Sequence, residues 1–211
     1  AVARALLLAE ETGARLHLGR ISAAGSIWQI RAARERGVAV SADTGICHLH
    51  LIDADGDGYK SNCHLAPPLR GAADRAALIE AVAGGVIDAV CSDHQPHDAD
   101  AKAAPFSLTE PGASTIDLLL PLLLKLVQEG KLTLARAIAA VTTGPARILG
   151  LEPGRLETDA PADLIVVDPD AEFVVTMALL KSAGHNSPFL GQRLRGRVLA
   201  TVLQGQLVFG Q

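Results

Sequence analysis

A chain of 211 residues can bury a substantial core, and 49% hydrophobic against 20% charged residues excludes a disordered or fibrous protein. A net charge of -4 gives no electrostatic basis for binding nucleic acid or an anionic membrane, and 3% aromatic residues are too few to stack bases along a groove. Cys47, Cys63 and Cys91 are odd in number and lack paired spacing, which fits a reducing, cytoplasmic setting.

The chain opens on Ala1-Val2-Ala3-Arg4-Ala5, without methionine and without a basic region or cleavage site. It therefore reads as a piece that begins inside a domain, with no secretion signal. Ala3 to Glu11 carries apolar residues on a helical repeat, and Gly13 is placed to end it. Arg15 to Ser22 alternates as a strand does, Ser26 to Arg36 is helical up to Gly37, and Val38 to Ala42 is a second short strand. Strand, helix and strand joined by tight glycine turns make a βαβ unit, which requires a parallel sheet.

Asp43 to Arg70 reads as a long irregular excursion. Within it, Asp53-Ala54-Asp55-Gly56-Asp57-Gly58 imitates the first half of a calcium-binding loop. The twelfth position, where a bidentate Glu is needed, is His64, so a polar turn is the better reading. Cys47, His48 and His50 are clustered metal-type side chains, but no second cluster completes a four-ligand site. Pro67-Pro68 sets an extended exit. Asp74 to Ala83 is an amphipathic helix leading into Val86 to Cys91, a β-branched apolar run that reads as a buried strand.

That strand ends in Ser92-Asp93-His94-Gln95-Pro96-His97. In parallel α/β folds, ligands and catalytic groups collect at the carboxyl ends of strands. The polar segment that follows, up to Gly112, is long enough for a mobile lid. Cys91, inside the strand, reads as buried and inert, and His17 as a hydrogen-bonded core histidine. Ser114 to Glu129 and Thr133 to Thr142 are two further helices, the second capped by Thr133 and stopped by Gly144-Pro145. The apolar block Ile116 to Val127 is broken by Asp117, Pro121 and Lys125 and is too short to span a bilayer. Beyond a boundary near Glu152-Pro153-Gly154 the chain becomes strand-like, at Asp163 to Asp168, Val198 to Leu203 and Gln206 to Phe209, with Gln204-Gly205 as a hairpin turn.

Taken together in this order, several motifs resemble those of the dihydroorotases, cyclic amidohydrolases of the metal-dependent amidohydrolase superfamily. They are His17-Leu18-Gly19-Arg20-Ile21-Ser22, Pro67 to Arg70, Asp93 to His97, Thr143 to Gly150, Ala160 to Leu164 and Asn186 to Gly191. The resemblance runs over essentially the whole chain and implies an α/β fold: the C-terminal part of a (β/α)8 TIM-type barrel over residues 1–151 and the C-terminal share of a small β-sandwich over residues 152–211. Three barrel strands cannot close a barrel, so an edge is expected to need the other half or a partner.

Dihydroorotases use zinc to polarise a ring carbonyl and activate water. The resemblance places the family's ligand and general base on Asp93, its substrate-contacting histidine on His97, and the lid backbone that meets substrate on Pro111 and Gly112. It also exposes losses. A zinc-ligand histidine falls on Arg20, which carries only donors and stays protonated, and the substrate asparagine falls on Ala66. The family's Pro-His-His-Leu is Ile46-Cys47-His48-Leu49, and its His-x-His pair has no counterpart. These departures argue against catalysis and against zinc bound through this chain; the resemblance is closest to non-catalytic dihydroorotase-like subunits, which implies an oligomer that scaffolds the aspartate transcarbamoylase catalytic subunit. The alternatives are an active zinc-dependent dihydroorotase or a relative acting on allantoin or a hydantoin. In the first reading Arg20 stands where the metal stood and neutralises Asp93.

Overall fold

The computed structural model describes residues 1–152 and 154–210. Pro153, at the expected boundary, lies outside the described residues.

The βαβ expectation holds. Helix α1 (Val2–Thr12) ends at Gly13, which adopts the left-handed conformation with φ 68° that a helix end needs and a side chain resists. Strand β1 (Leu16–Leu18) leads through α2 (Ala24–Glu35) to β2 (Val40–Gly45), and α4 (Ala72–Ala83) returns to β3 (Ala89–Cys91). The three strands form a parallel sheet in the order β1-β2-β3. One strand is shorter than the alternation suggested: pairing stops at Leu18, because Gly19 and Arg20 turn away at the sheet edge. β1 and β3 are the two edges of this sheet among the described residues.

The excursion after β2 is more ordered than expected. Asp43 to Gly45 still pair with β3, and Ile46–His50 form a short helix, α3, buried along most of its length. Asp53–Gly56 is a 3-10 turn in which Asp53 and Asp55 accept backbone N–H groups of Ala54 and Ile52. That is the polar turn, its acids already used locally.

Two helix boundaries differ from the sequence reading for one reason. Ser114 and Thr115 are not helical; a 3-10 turn at Ile116–Leu118 precedes α6 (Leu119–Gln128). Gly144-Pro145 does not end α7 (Leu134–Ala139) but lies in the first turn of α8 (Thr143–Leu149). Pro121 and Pro145 are each the third residue of their helix, where an N–H would have no intrahelical partner anyway. Thr133 caps α7 as expected, its hydroxyl accepting the Arg136 N–H at 3.2 Å.

The last third is an antiparallel sheet, β4 (Leu164–Val174), β5 (Arg193–Leu203) and β6 (Gln206–Phe209). Gln204-Gly205 is the hairpin turn, both residues at positive φ. One core cluster runs through both sheets: Leu118 of the 3-10 turn and Leu122, Leu123 and Leu126 of α6 are fully buried, and Phe173, Leu194 and Phe189 join them. Among the described residues no helix is long and apolar enough to cross a membrane.

His50 sits on this core. Its Nε2 donates to the Leu122 carbonyl at 3.1 Å and its ring meets Phe189 edge-on. Burial pushes its pKa down to about 4. The unfolded chain therefore takes up a proton that the folded chain refuses, so stability is lost as pH falls from the ordinary imidazole range towards 4. We expect a loss of about 2 kcal/mol between pH 6.5 and 4.5, seen as a falling urea midpoint; the slope should flatten in His50→Gln.

Candidate functional site

The site is built where β1, β2 and β3 end. Arg20, two residues beyond β1, and Asp93, two beyond β3, both take left-handed backbone conformations, with φ 57° and 46°. Such conformations cost about 1 kcal/mol each in a residue with a side chain and persist only where neighbours hold them. For Arg20 the holding group is Asp43 of β2. Its Oδ1 accepts the Arg20 backbone N–H at 2.8 Å and the Cys91 thiol at 3.3 Å, and its Oδ2 meets His17 Nε2 at 2.9 Å.

Arg20 and Asp93 face each other as the sequence suggested, Nη1 to Oδ1 at 3.5 Å. The guanidinium also donates to the carbonyl of Ala66 at 3.1 Å, so Ala66, where the resemblance implies an asparagine, anchors the arginine by its backbone. The arginine side chain is 47% exposed and Asp93 only 18%, which makes the pair a screened contact at the mouth with its carboxylate end inside. Gln95 Nε2 donates to the same Asp93 oxygen at 3.2 Å. On the other side Gly45 brings the Asp93 carboxylate and His48 Nδ1 close to one point. His48 is 3% exposed; its Nε2 donates to the Pro67 carbonyl, its Nδ1 has no partner among the described residues, and burial holds its pKa below the ordinary imidazole value.

His97 and the lid end also meet. His97 Nε2 donates to the Pro111 carbonyl at 3.1 Å, and Gly112, at φ 132°, lies against Gln95 so closely that a Cβ there would collide with it. The lid itself contains a short helix, α5 (Ala99–Ala103), and is stapled down. Lys102 Nζ reaches the Ser61 carbonyl at 3.2 Å and the Glu110 carbonyl at 2.5 Å, and the Gly112 N–H reaches the His64 carbonyl at 2.8 Å.

Three further expectations are settled by position. His17 is no core residue: it bridges Ser41 and Asp43 with a third of its side chain exposed. Cys91 is half-buried, and burial beside Asp43 raises its pKa far above a reactive thiolate's. Cys47, His48 and His50 do not converge; the two histidines bond to carbonyls of different segments. The sequence reading missed Asp43, Gln95 and the side chain of Asn186. For Asp43 a signal existed, an acid at the end of a strand, but the excursion was drawn to begin there.

The described residues do not by themselves assemble a zinc site at Asp93. A guanidinium offers no lone pair, and among the described residues no group of three His, Cys, Asp or Glu side chains is arranged to hold a metal ion.

Comparison with known proteins agrees with this architecture. The amidohydrolase family profile matches residues 7–208. The chain is 45% identical over 207 residues to a dihydroorotase-like protein of Pseudomonas aeruginosa, covering 98% of this chain and 49% of the relative. It is 43% identical to a dihydroorotase of a Geobacter species, covering 99% and 49%. Among solved structures it superposes on an L-hydantoinase (dihydropyrimidinase) from Arthrobacter aurescens with TM-score 0.93 and 29% identity, covering 100% of this chain and 48% of that one. A D-hydantoinase from a Thermus species gives TM-score 0.90 at 25% identity, over 99% and 48%. The chain belongs to the amidohydrolase family, whose fold is of TIM-barrel type. Within that family it is dihydroorotase-like, and it spans about half the length of the curated relatives it matches.

Proposed function

We propose that this chain is the C-terminal half of a non-catalytic dihydroorotase-like protein of pyrimidine biosynthesis, a cytoplasmic structural partner of the aspartate transcarbamoylase catalytic subunit. The observation that carries the reading is the Arg20–Asp93 contact at 3.5 Å: a permanent cation takes up the carboxylate that the family uses toward its metal. The neighbouring loss at Ala66 weakens substrate binding independently, and relatives named dihydroorotase-like protein support the same direction. On this reading residues 1–151 supply the last barrel strands and residues 152–211 part of a β-sandwich. The edge strands β1 and β3 and the exposed Leu199, Leu203, Leu207 and Phe209 fit a barrel and a sandwich completed by further strands.

The test uses the full-length protein. It is expected to co-purify with the aspartate transcarbamoylase catalytic subunit, to carry far less than one zinc per chain and to leave dihydroorotate unhydrolysed. Turnover without the partner, or stoichiometric zinc in the unmutated protein, would overturn the reading. A second reading, a zinc-dependent hydrolase of dihydroorotate or a hydantoin-like cyclic amide, is favoured by one feature: Asp93, His97 and the Pro111-Gly112 lid end are still assembled at one mouth. In that case the missing ligands come from outside this chain.

A further inference from the structure

The segment between β4 and β5 is laid across the mouth as a strap. At its start the N–H groups of Lys181 and Ser182 donate to Asp117 Oδ2, beside the beginning of α6. The Ser182 hydroxyl then accepts from His94 Nε2 at 3.3 Å. The tautomer follows from the partners, because His94 Nδ1 accepts the N–H groups of Thr115 and Ile116 at 3.1 and 3.2 Å. Gly184 rests on the backbone of His97; a Cβ there would lie 2.5 Å from the His97 nitrogen. Asn186, 6% exposed, completes the strap with three bonds from one amide. Its Oδ1 accepts the His97 N–H at 2.8 Å, and its Nδ2 donates to the carbonyls of Gln95 and Gly112, both at 3.1 Å.

We propose that Asn186 is the positioning residue of the mouth: it locks the strand-tip loop that carries Asp93 and His97 to the end of the lid. Its amide is matched to the task, since it needs one acceptor and two donors on the same planar group, and only Asn among side chains of that length has both. Phe189, fully buried three residues on, anchors the strap to the core, so the latch is held from behind by packing. Through it, the sheet of β4 to β6 sets the geometry of groups that all lie before residue 115. The inference goes beyond the proposed function and holds whether or not the mouth is catalytic.

Hydrogen exchange of the full-length protein, resolved by segment, tests it. Asn186→Ala is expected to speed exchange in 95–97 and 112–114 by about tenfold, the factor that goes with one lost buried hydrogen bond, and to leave α2 and α4 unchanged. Asn186→Asp separates the roles: its carboxylate still accepts from the His97 N–H but repels the carbonyls of Gln95 and Gly112, so 112–114 and Gln95 should open while the His97 N–H keeps its protection. Gly184→Ala keeps the amide and pushes the strap off His97, and should open both segments. Should Asn186→Ala fail to fold, Gly184→Ala carries the same test. Uniform acceleration across the chain in step with the melting temperature would show a merely structural residue and overturn the proposal. No acceleration in either segment would overturn it as well.

Discussion

An Asp43→Ala variant is expected to lose about 3 kcal/mol of stability, because a mostly buried carboxylate with three donors is removed at once. The loss has a local signature. Arg20 is kept in its left-handed conformation by the 2.8 Å bond from its N–H to Asp43, and among the described residues nothing else accepts that N–H. Without it the strand-tip turn relaxes and the guanidinium leaves Asp93. Asp43→Asn keeps one acceptor oxygen and should lose roughly half as much. Urea denaturation reads the stability, and a crystal structure of the Asn variant reads the Arg20–Asp93 separation. An unchanged midpoint in Asp43→Ala would mean that water replaces the carboxylate without cost, and that the turn is held by its own sequence.

Phe189→Ala is expected to be worse, with a loss of about 3–5 kcal/mol. Phe189 has no exposed surface, stacks edge-on against His50 with ring centroids 6.0 Å apart, and belongs to the core shared by the two sheets. Its removal leaves a void between α3 and the strap that rigid neighbours cannot fill. Phe189→Leu should recover more than half of the loss. Thermal unfolding followed by circular dichroism and by exchange at Gly112 distinguishes two outcomes. A single shifted transition means that the two sheets unfold as one unit. An early local transition confined to the lid means that the strap peels away first.

The two sheets were legible in the sequence to different depths. Gly13 and Thr133 gave correct helix limits because a glycine at positive φ and a threonine cap act within a few residues. Gln204-Gly205 gave the hairpin for the same reason. Pro121 and Pro145 misled because proline has two lawful readings, a terminator of the helix before it and a first-turn residue of the helix after it. Which one applies depends on what the following turn packs against. Arg20 and Asp93 were legible as a facing pair, since both follow a parallel strand. Asp43 was not, because its importance lies in three donors that are distant along the chain.

By itself, the sequence determined that the chain is an α/β protein with a parallel sheet and that an acid and two histidines follow a buried strand at Asp93 to His97; its resemblance to dihydroorotases implied that Arg20 stands where a ligand is expected. The first two follow from periodicity and local backbone preference, the third from the order of the family's motifs. Only the tertiary structure decided that Asp43 holds the arginine's turn, that the lid is pinned by Lys102 and Gly112, and that Asn186 ties the site to a sheet formed some eighty residues later. Those are long-range hydrogen bonds between buried or half-buried groups, whose partners are chosen by packing and leave no periodic trace along the chain.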